Sequence, residues 1–203
     1  MCRAIIFLDK KRILMKKFLL FAVAIGMLCV TACVRDEPAA VVPPSPSNEY
    51  ITTVQLTYQN VAIATDNGIA TWKKLDPENP NTLPDTSAAI LRLKKGANYT
   101  LAIAFLDQTK TPAVAVTDDI RARANYHFIC LTPLNGLGIT ATATDYDTNK
   151  PPLPLGLSQN IATSTNLANG RFNLRLKHQP NLKTGACEPG SADVDVNFSV
   201  TVQ

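Results

Sequence analysis

Two histidines and one tryptophan are all that the chain's 203 residues contain of those types. So small a supply of imidazole excludes a histidine-rich metal centre and leaves little for general-base work. His127 stands in "YHFIC" and His178 in "LKHQP". Neither sits in a recognised metal-ligand spacing with cysteines or carboxylates, so both read as residues at strand ends, and no metal or cofactor is expected. The chain also lacks a GxSxG elbow, a phosphate-binding loop, a dinucleotide fingerprint and an HExxH helix, so nothing marks it as an enzyme.

A spanning helix is missing as well. The apolar run Phe18 to Leu28 has eleven residues, about 16 Å of helix against a hydrocarbon core of about 30 Å. Met15-Lys16-Lys17 precedes it and small residues close it, which is the layout of a secretory signal peptide. Its end, Val30-Thr31-Ala32-Cys33, resembles the bacterial lipobox, in which the cysteine is acylated and becomes the mature N-terminus. Residues 1–32 are therefore expected to be cut away, with Met15 a better start than Met1 and residues 1–14 either an over-long start or an atypical leader. Cys33 is the expected lipidation site.

Processing at Cys33 changes the charge. Six of the 20 basic residues and one of the 16 acidic ones precede it, so the quoted +4 becomes −1, from 14 basic and 15 acidic residues. The basicity belongs to the export signal, and with it goes the electrostatic case for nucleic acid. Residues 33–48 hold the lipidated cysteine and the proline-rich "VRDEPAAVVPPSPSN", an extended spacer suited to holding a domain off a membrane. Arg35-Asp36-Glu37 after the cysteine resembles the surface-export signal of Bacteroidetes lipoproteins. The expected location is the outer membrane, through a lipid anchor, at the cell surface more than at the periplasmic face.

Residues 49–203 form the expected single domain, and their period is two. Val54, Leu56 and Tyr58 alternate with Thr and Gln; Tyr99, Leu101, Ile103 and Phe105 share a face, as do Phe172, Leu174 and Leu176; Val194, Val196, Phe198, Val200 and Val202 form the clearest stripe. Such alternation marks half-buried antiparallel strands. Weaker runs at 68–74, 126–132 and 138–145, with "AILRLKK", bring the number to about eight. Turn signals such as "DNG", "DPENPN" and "EPGS" separate them, and the spacing predicts an all-β antiparallel sandwich, immunoglobulin-like or related. One helical turn is expected at "VTDDIRARA", capped by Thr117 with Asp118 and Asp119 at its positive end.

The signal "MKKFLLFAVAIG…TAC", the first strand "ITTVQLT", "FLDQTKTPA" and the terminal "LKHQPNLKTG…ADVDVNFSVTVQ" together resemble a group of small Bacteroidetes lipoproteins of unknown function, over nearly all of the mature chain. Some members carry the name "type 1 periplasmic-binding fold superfamily". That name implies a two-domain α/β receptor, whereas the period here implies strands. The resemblance carries no catalytic residues.

Four further features bear on chemistry. "DYDTNKPPLPLG" at 145–156 begins like a calcium loop with Asp145, Asp147 and Asn149, but puts Lys150 where the loop needs glycine and Gly156 where it needs glutamate, and so reads as a turn. Trp72 is either core or a stacking surface for a sugar, the latter if Tyr50, Tyr126 or Tyr146 gathers near it. Cys130 and Cys187 either form a disulfide, which an exported protein permits, or remain separate thiols; their spacing does not choose. Strands 171–177 and 193–201 are expected to pair, setting Arg171, Arg175 and Lys177 against Asp193 and Asp195. The functional expectation is a non-enzymatic binding or structural module of the envelope with a protein partner; the alternative is a glycan- or small-ligand-binding lipoprotein accessory to an outer-membrane transporter.

Overall fold

Each period-two stripe buries its apolar set on one side of a strand. The computed structural model describes residues 50–203; the leader, Cys33 and the linker lie outside the described residues. Ten strands follow in order: β1 (Thr53–Asn60), β2 (Asn67–Lys73), β3 (Ile90–Leu93), β4 (Asn98–Asp107), β5 (Val114–Ala115), β6 (His127–Leu134), β7 (Thr140–Ala143), β8 (Ser158–Ala162), β9 (Ala168–His178) and β10 (Ser191–Val202). Helix α1 (Val116–Ala122) and a 3-10 turn (Ala124–Tyr126) lie between β5 and β6. None of the described helices is long and apolar enough to cross a membrane.

The strands form two sheets. One has the order β2-β1-β4-β8-β7 with β5 added to the end of β4; the other has the order β3-β10-β9-β6. All pairings are antiparallel except β3 with β10. Leu56, Ile103, Phe105 and Ile161 from the first sheet share one buried core with Leu91, Phe172, Leu174 and Phe198 from the second, so the fold is an all-β sandwich. Burying such side chains contributes roughly 1.5–3 kcal/mol each.

Two strands exceed the eight read from the pattern. β5 is two residues long, and β8 reads "SQNIA", with the polar Gln159 and Ile161 as its inward pair. Gln159 is buried because its Nε2 donates to the Gly156 carbonyl at 3.0 Å. A strand whose inward stripe contains a glutamine gives no hydrophobic signal. The expected helix forms at α1 with Asp118 and Asp119 in its first turn, but its N-cap is Ala115 and no side chain caps it. Thr117 is instead inside the helix, where its hydroxyl donates to the Phe105 carbonyl and accepts the Phe105 N–H, at 3.1 and 2.8 Å.

Strands β9 and β10 are neighbours, with Phe198 opposite Phe172 and Val196 opposite Leu174. The charge pairing expected across them holds at one position only. Asp195 stands opposite Arg175, and its carboxylate accepts from Asn173 Nδ2 at 2.7 Å. Arg171 faces Ser199, and a register shift between Ala192 and Val194 takes Asp193 out of the ladder. Lys177 is buried and donates to the Gly190 carbonyl at 2.8 Å. One bulge thus re-aims an acid that strict alternation would have placed in the charged row.

Candidate functional site

The segment 145–156 does two structural jobs with its acids. β7 and β8 are antiparallel neighbours at the end of the first sheet, and the segment that joins them brings three consecutive amides to one carboxylate. Asp145 Oδ1 accepts the N–H groups of Gly156 and Ser158 at 2.9 and 3.1 Å, and Oδ2 accepts that of Leu157 at 3.1 Å. Leu155 donates to the Asp145 carbonyl at 3.0 Å while its own carbonyl accepts the Ile129 N–H at 2.7 Å, which ties β6 of one sheet to the margin of the other. Gly156 sits at φ +89, and a Cβ there would lie 2.6 Å from the Ile129 carbonyl oxygen; only glycine fits.

Asp147 is the second anchor. Its carboxylate accepts the N–H groups of Asn149 and Leu153 at 3.0 and 2.8 Å, Asn149 Nδ2 at 2.8 Å and Lys183 Nζ at 2.8 Å. Both charged side chains are out of water, at 2% exposure for Lys183 and 0% for Asp147. Burial alone would push the Asp147 carboxyl up, but the Lys183 ammonium and the two backbone amides hold it below its usual range. Lys183 also donates to the Ala124 carbonyl at 2.9 Å. The oxygens that mimic the start of a calcium loop are thus spent on amides and a lysine. Among the described residues, no group of three or more His, Cys, Asp or Glu is placed to hold a metal ion.

With its core satisfied in this way, the segment presents its remaining side chains to a cleft of about 440 Å³. Asn149, Lys150, Pro151 and Leu153 form one wall, Asn125 and Tyr126 of the 3-10 turn a second, and Asn181 and Lys183 of the β9–β10 loop a third. Asn125 Oδ1 is taken by the Thr148 N–H and hydroxyl, both at 3.0 Å, which turns its Nδ2 donor outward from that bond. Asn149 spends its Nδ2 on Asp147 and keeps its Oδ1 acceptor. The Lys183 charge is cancelled by Asp147. The cleft therefore offers carboxamides, a half-buried phenol ring and the exposed Lys150 ammonium, an environment for a ligand that hydrogen-bonds.

A second cleft of about 330 Å³ lies on the other side of the segment, between β6 and β7, with Phe128, Leu131, Ala141, Ala143 and Tyr146 in its lining. Cys130 and Cys187 reach it as a disulfide with Cα atoms 5.9 Å apart. Tyr146 is 57% exposed.

The two histidines do end strands, and they end up together. His127 opens β6 opposite His178, which closes β9; the rings stack with centroids 5.2 Å apart. His127 Nδ1 lies 3.1 Å from the Arg123 carbonyl oxygen and Nε2 3.9 Å from the Asp193 carboxylate. Burial, then the charge of Arg123, lowers the His127 pKa to about 4, and burial raises that of Asp193. This cluster packs one end of the second sheet.

Trp72 is half-buried, opposite Val54 on β2, and packs against the core. It stands at one edge of the first sheet, while Tyr146 follows β7 at the other edge and Tyr126 precedes β6 of the second sheet, so neither of these two tyrosines gathers at Trp72. Tyr126 lies instead in the cleft beside the 145–156 segment, and Tyr146, within that segment, lines the second cleft. Asn125, Asn181 and Lys183 were not singled out by sequence reasoning, because isolated residues of these types in turns are ordinary; Asn149 was, as part of the failed calcium pattern. No family model, curated protein or solved structure matches this chain.

Proposed function

We propose that the chain is a non-enzymatic binding module of a bacterial outer envelope, held through lipid on Cys33 and displayed at the cell surface, with the cleft beside Tyr126 as its ligand site. The observation that carries the ligand reading is the lining of that cleft: three carboxamides and a phenol, with the buried Lys183 already paired and Lys150 as its exposed cation. This set suits a neutral polyhydroxylated ligand such as a short glycan, whose hydroxyls both donate and accept and whose ring faces stack on tyrosine. The titratable groups of the fold support the non-enzymatic part, since the acids of the segment are committed to backbone amides and the two imidazoles are stacked on each other.

The anchor and the ligand site are tested separately. Labelling with a palmitate analogue is expected to mark the wild type and to miss Cys33→Ala. Glycan-array binding by the chain from residue 33 onward, carrying Cys33→Ser, is expected to give a signal that Tyr126→Ala removes and Trp72→Phe preserves. Loss with Trp72→Phe alone, or an array without a hit for the wild type, would sink the cleft assignment and leave the anchor untouched.

A further inference from the structure

The outer face of the first sheet is uncharged from edge to edge. One row of cross-strand neighbours reads Asn67, Gln59, Thr100, Asn160, Thr142. The next reads Ile69, Thr57, Ala102, Ser158. The rows on either side add Thr71, Gln55 and Ala104, and Asn98, Ala162 and Thr140. The first charge on that face is Lys73, in the margin row with Thr53 and Leu106. The outer face of the second sheet, by contrast, carries Arg92, Arg171, Arg175, Lys177 and Asp195. A solvated sheet face has no need to segregate charge in this way, whereas depletion of charge at the centre of a patch is the compositional mark of a protein–protein interface.

We infer that this face binds the same face of a second copy of the chain in a two-fold symmetric, sheet-on-sheet dimer. A two-fold interface sets each patch against itself. Hydroxyls and carboxamides both donate and accept and so pair with their own kind, while an ammonium or carboxylate near the axis repels its twin. Relief suits the same arrangement: hollows of about 350 Å³ around Thr100, Ala102 and Ser158 and about 200 Å³ around Thr140 and Ala162 lie on the face, with Asn160 lining both. They give the longer side chains of a facing copy somewhere to go. The fifteen positions of these four rows, each about 4.8 Å by about 6.8 Å, give a footprint of roughly 500 Å². Two copies then bury about 1,000 Å², about the least that a specific interface needs. Twisted sheets stacked at about −30° and about 10 Å meet in this way inside sandwiches.

Sedimentation of the chain from residue 33 onward with Cys33→Ser, so that no acyl chain contributes, reads the outcome. The wild type is expected to dimerise in the micromolar range. Thr57→Glu and Thr57→Lys, both on the exposed face, are each expected to weaken association by about tenfold or more through self-repulsion, and an equimolar mixture to restore it. Arg171→Glu on the opposite face is expected to change nothing. Unaltered thermal melts show that the variants fold, and Asn160→Asp, with almost no change in volume, repeats the test where a larger residue disturbs its strand. A wild type that stays monomeric at about 100 μM, or a Thr57→Glu chain that dimerises as the wild type does, overturns the dimer. A monomer retained on an uncharged polysaccharide matrix through Thr57 and Asn160 overturns it in favour of a glycan on this face.

Discussion

Asp147 and Lys183, from different loops, meet as an ion pair of 2.8 Å with both side chains excluded from water. The pair fastens the β9–β10 loop to the 145–156 segment and so holds two walls of the polar cleft together. Removing one partner leaves the other charged and buried. Lys183→Met is therefore expected to lower unfolding stability by about 3–5 kcal/mol, read from urea midpoints. The double variant Asp147→Asn/Lys183→Met is expected to recover part of the loss, because the isolated charge is gone; a double variant no more stable than the single one would show that packing, and not charge, carries the effect.

The disulfide acts on the same loop from the other side. It closes 57 residues between Cys130 and Cys187, which in the chain-entropy model stabilises by about 4 kcal/mol. Cys130→Ala/Cys187→Ala is expected to lose most of that amount, and a reductant is expected to shift the wild type by a similar margin while leaving the variant unmoved. A reductant effect of equal size on the variant would place the stabilisation elsewhere.

Acid acts first through His127. Its pKa in the fold is lowered from 6.5 to about 4 by burial, then by Arg123 and by the stacked His178, with Lys183 adding to the same sign. The unfolded chain takes up a proton as pH falls through 6.5, and the folded chain refuses it until about 4, so stability is expected to fall across that window, by about 1.4 kcal/mol per pH unit at the steepest. Asp193 has its carboxyl pushed up by burial; folding therefore favours its protonated form, which opposes the loss at the acidic end of the window. Asp147, held below 3.8, adds its own loss only below that value. Urea midpoints between pH 7 and 4 are expected to show a slope for the wild type that His127→Gln reduces; an unchanged slope would assign the acid sensitivity to another group.

The fold was legible where burial follows the two-residue period. In β10 the five inward residues Val194, Val196, Phe198, Val200 and Val202 are all buried, and the stripe alone predicts the strand. β8 was not legible because Gln159 replaces an apolar residue on the inward face. The charge row failed at a bulge, which no pattern in "SADVDVNFSV" announces. The cysteine pairing stayed open because a separation of 57 carries no register. The cleft was hidden for a different reason: its walls come from three loops far apart in sequence, each an unremarkable turn by itself, and the β6–β9 pairing, the Asn125–Thr148 bonds and the Lys183 contacts bring them together. Trp72, the more conspicuous residue, drew attention because it is unique, and it packs against the core.

The last expectation separates an anchor from a metal site. Asp145 begins a sequence that starts like a calcium loop, yet its two oxygens accept three consecutive backbone amides where the connection from β7 enters β8. A calcium ion would need those oxygens for itself, along with about four to six more at 2.3–2.6 Å, while the neighbouring Asp147 already holds Lys183. Asp145→Asn retains one oxygen but turns an NH₂ toward an amide donor, so at least one N–H loses its partner at a cost of about 1–3 kcal/mol. The variant is expected to lose that much unfolding stability and to melt at a lower temperature. Calcium up to millimolar levels is expected to leave the melting temperature of the wild type unchanged, because the oxygens of Asp145 and Asp147 are already taken by amides and Lys183. A calcium-dependent rise in the wild type that Asp145→Asn abolishes would replace the backbone clamp with a metal site.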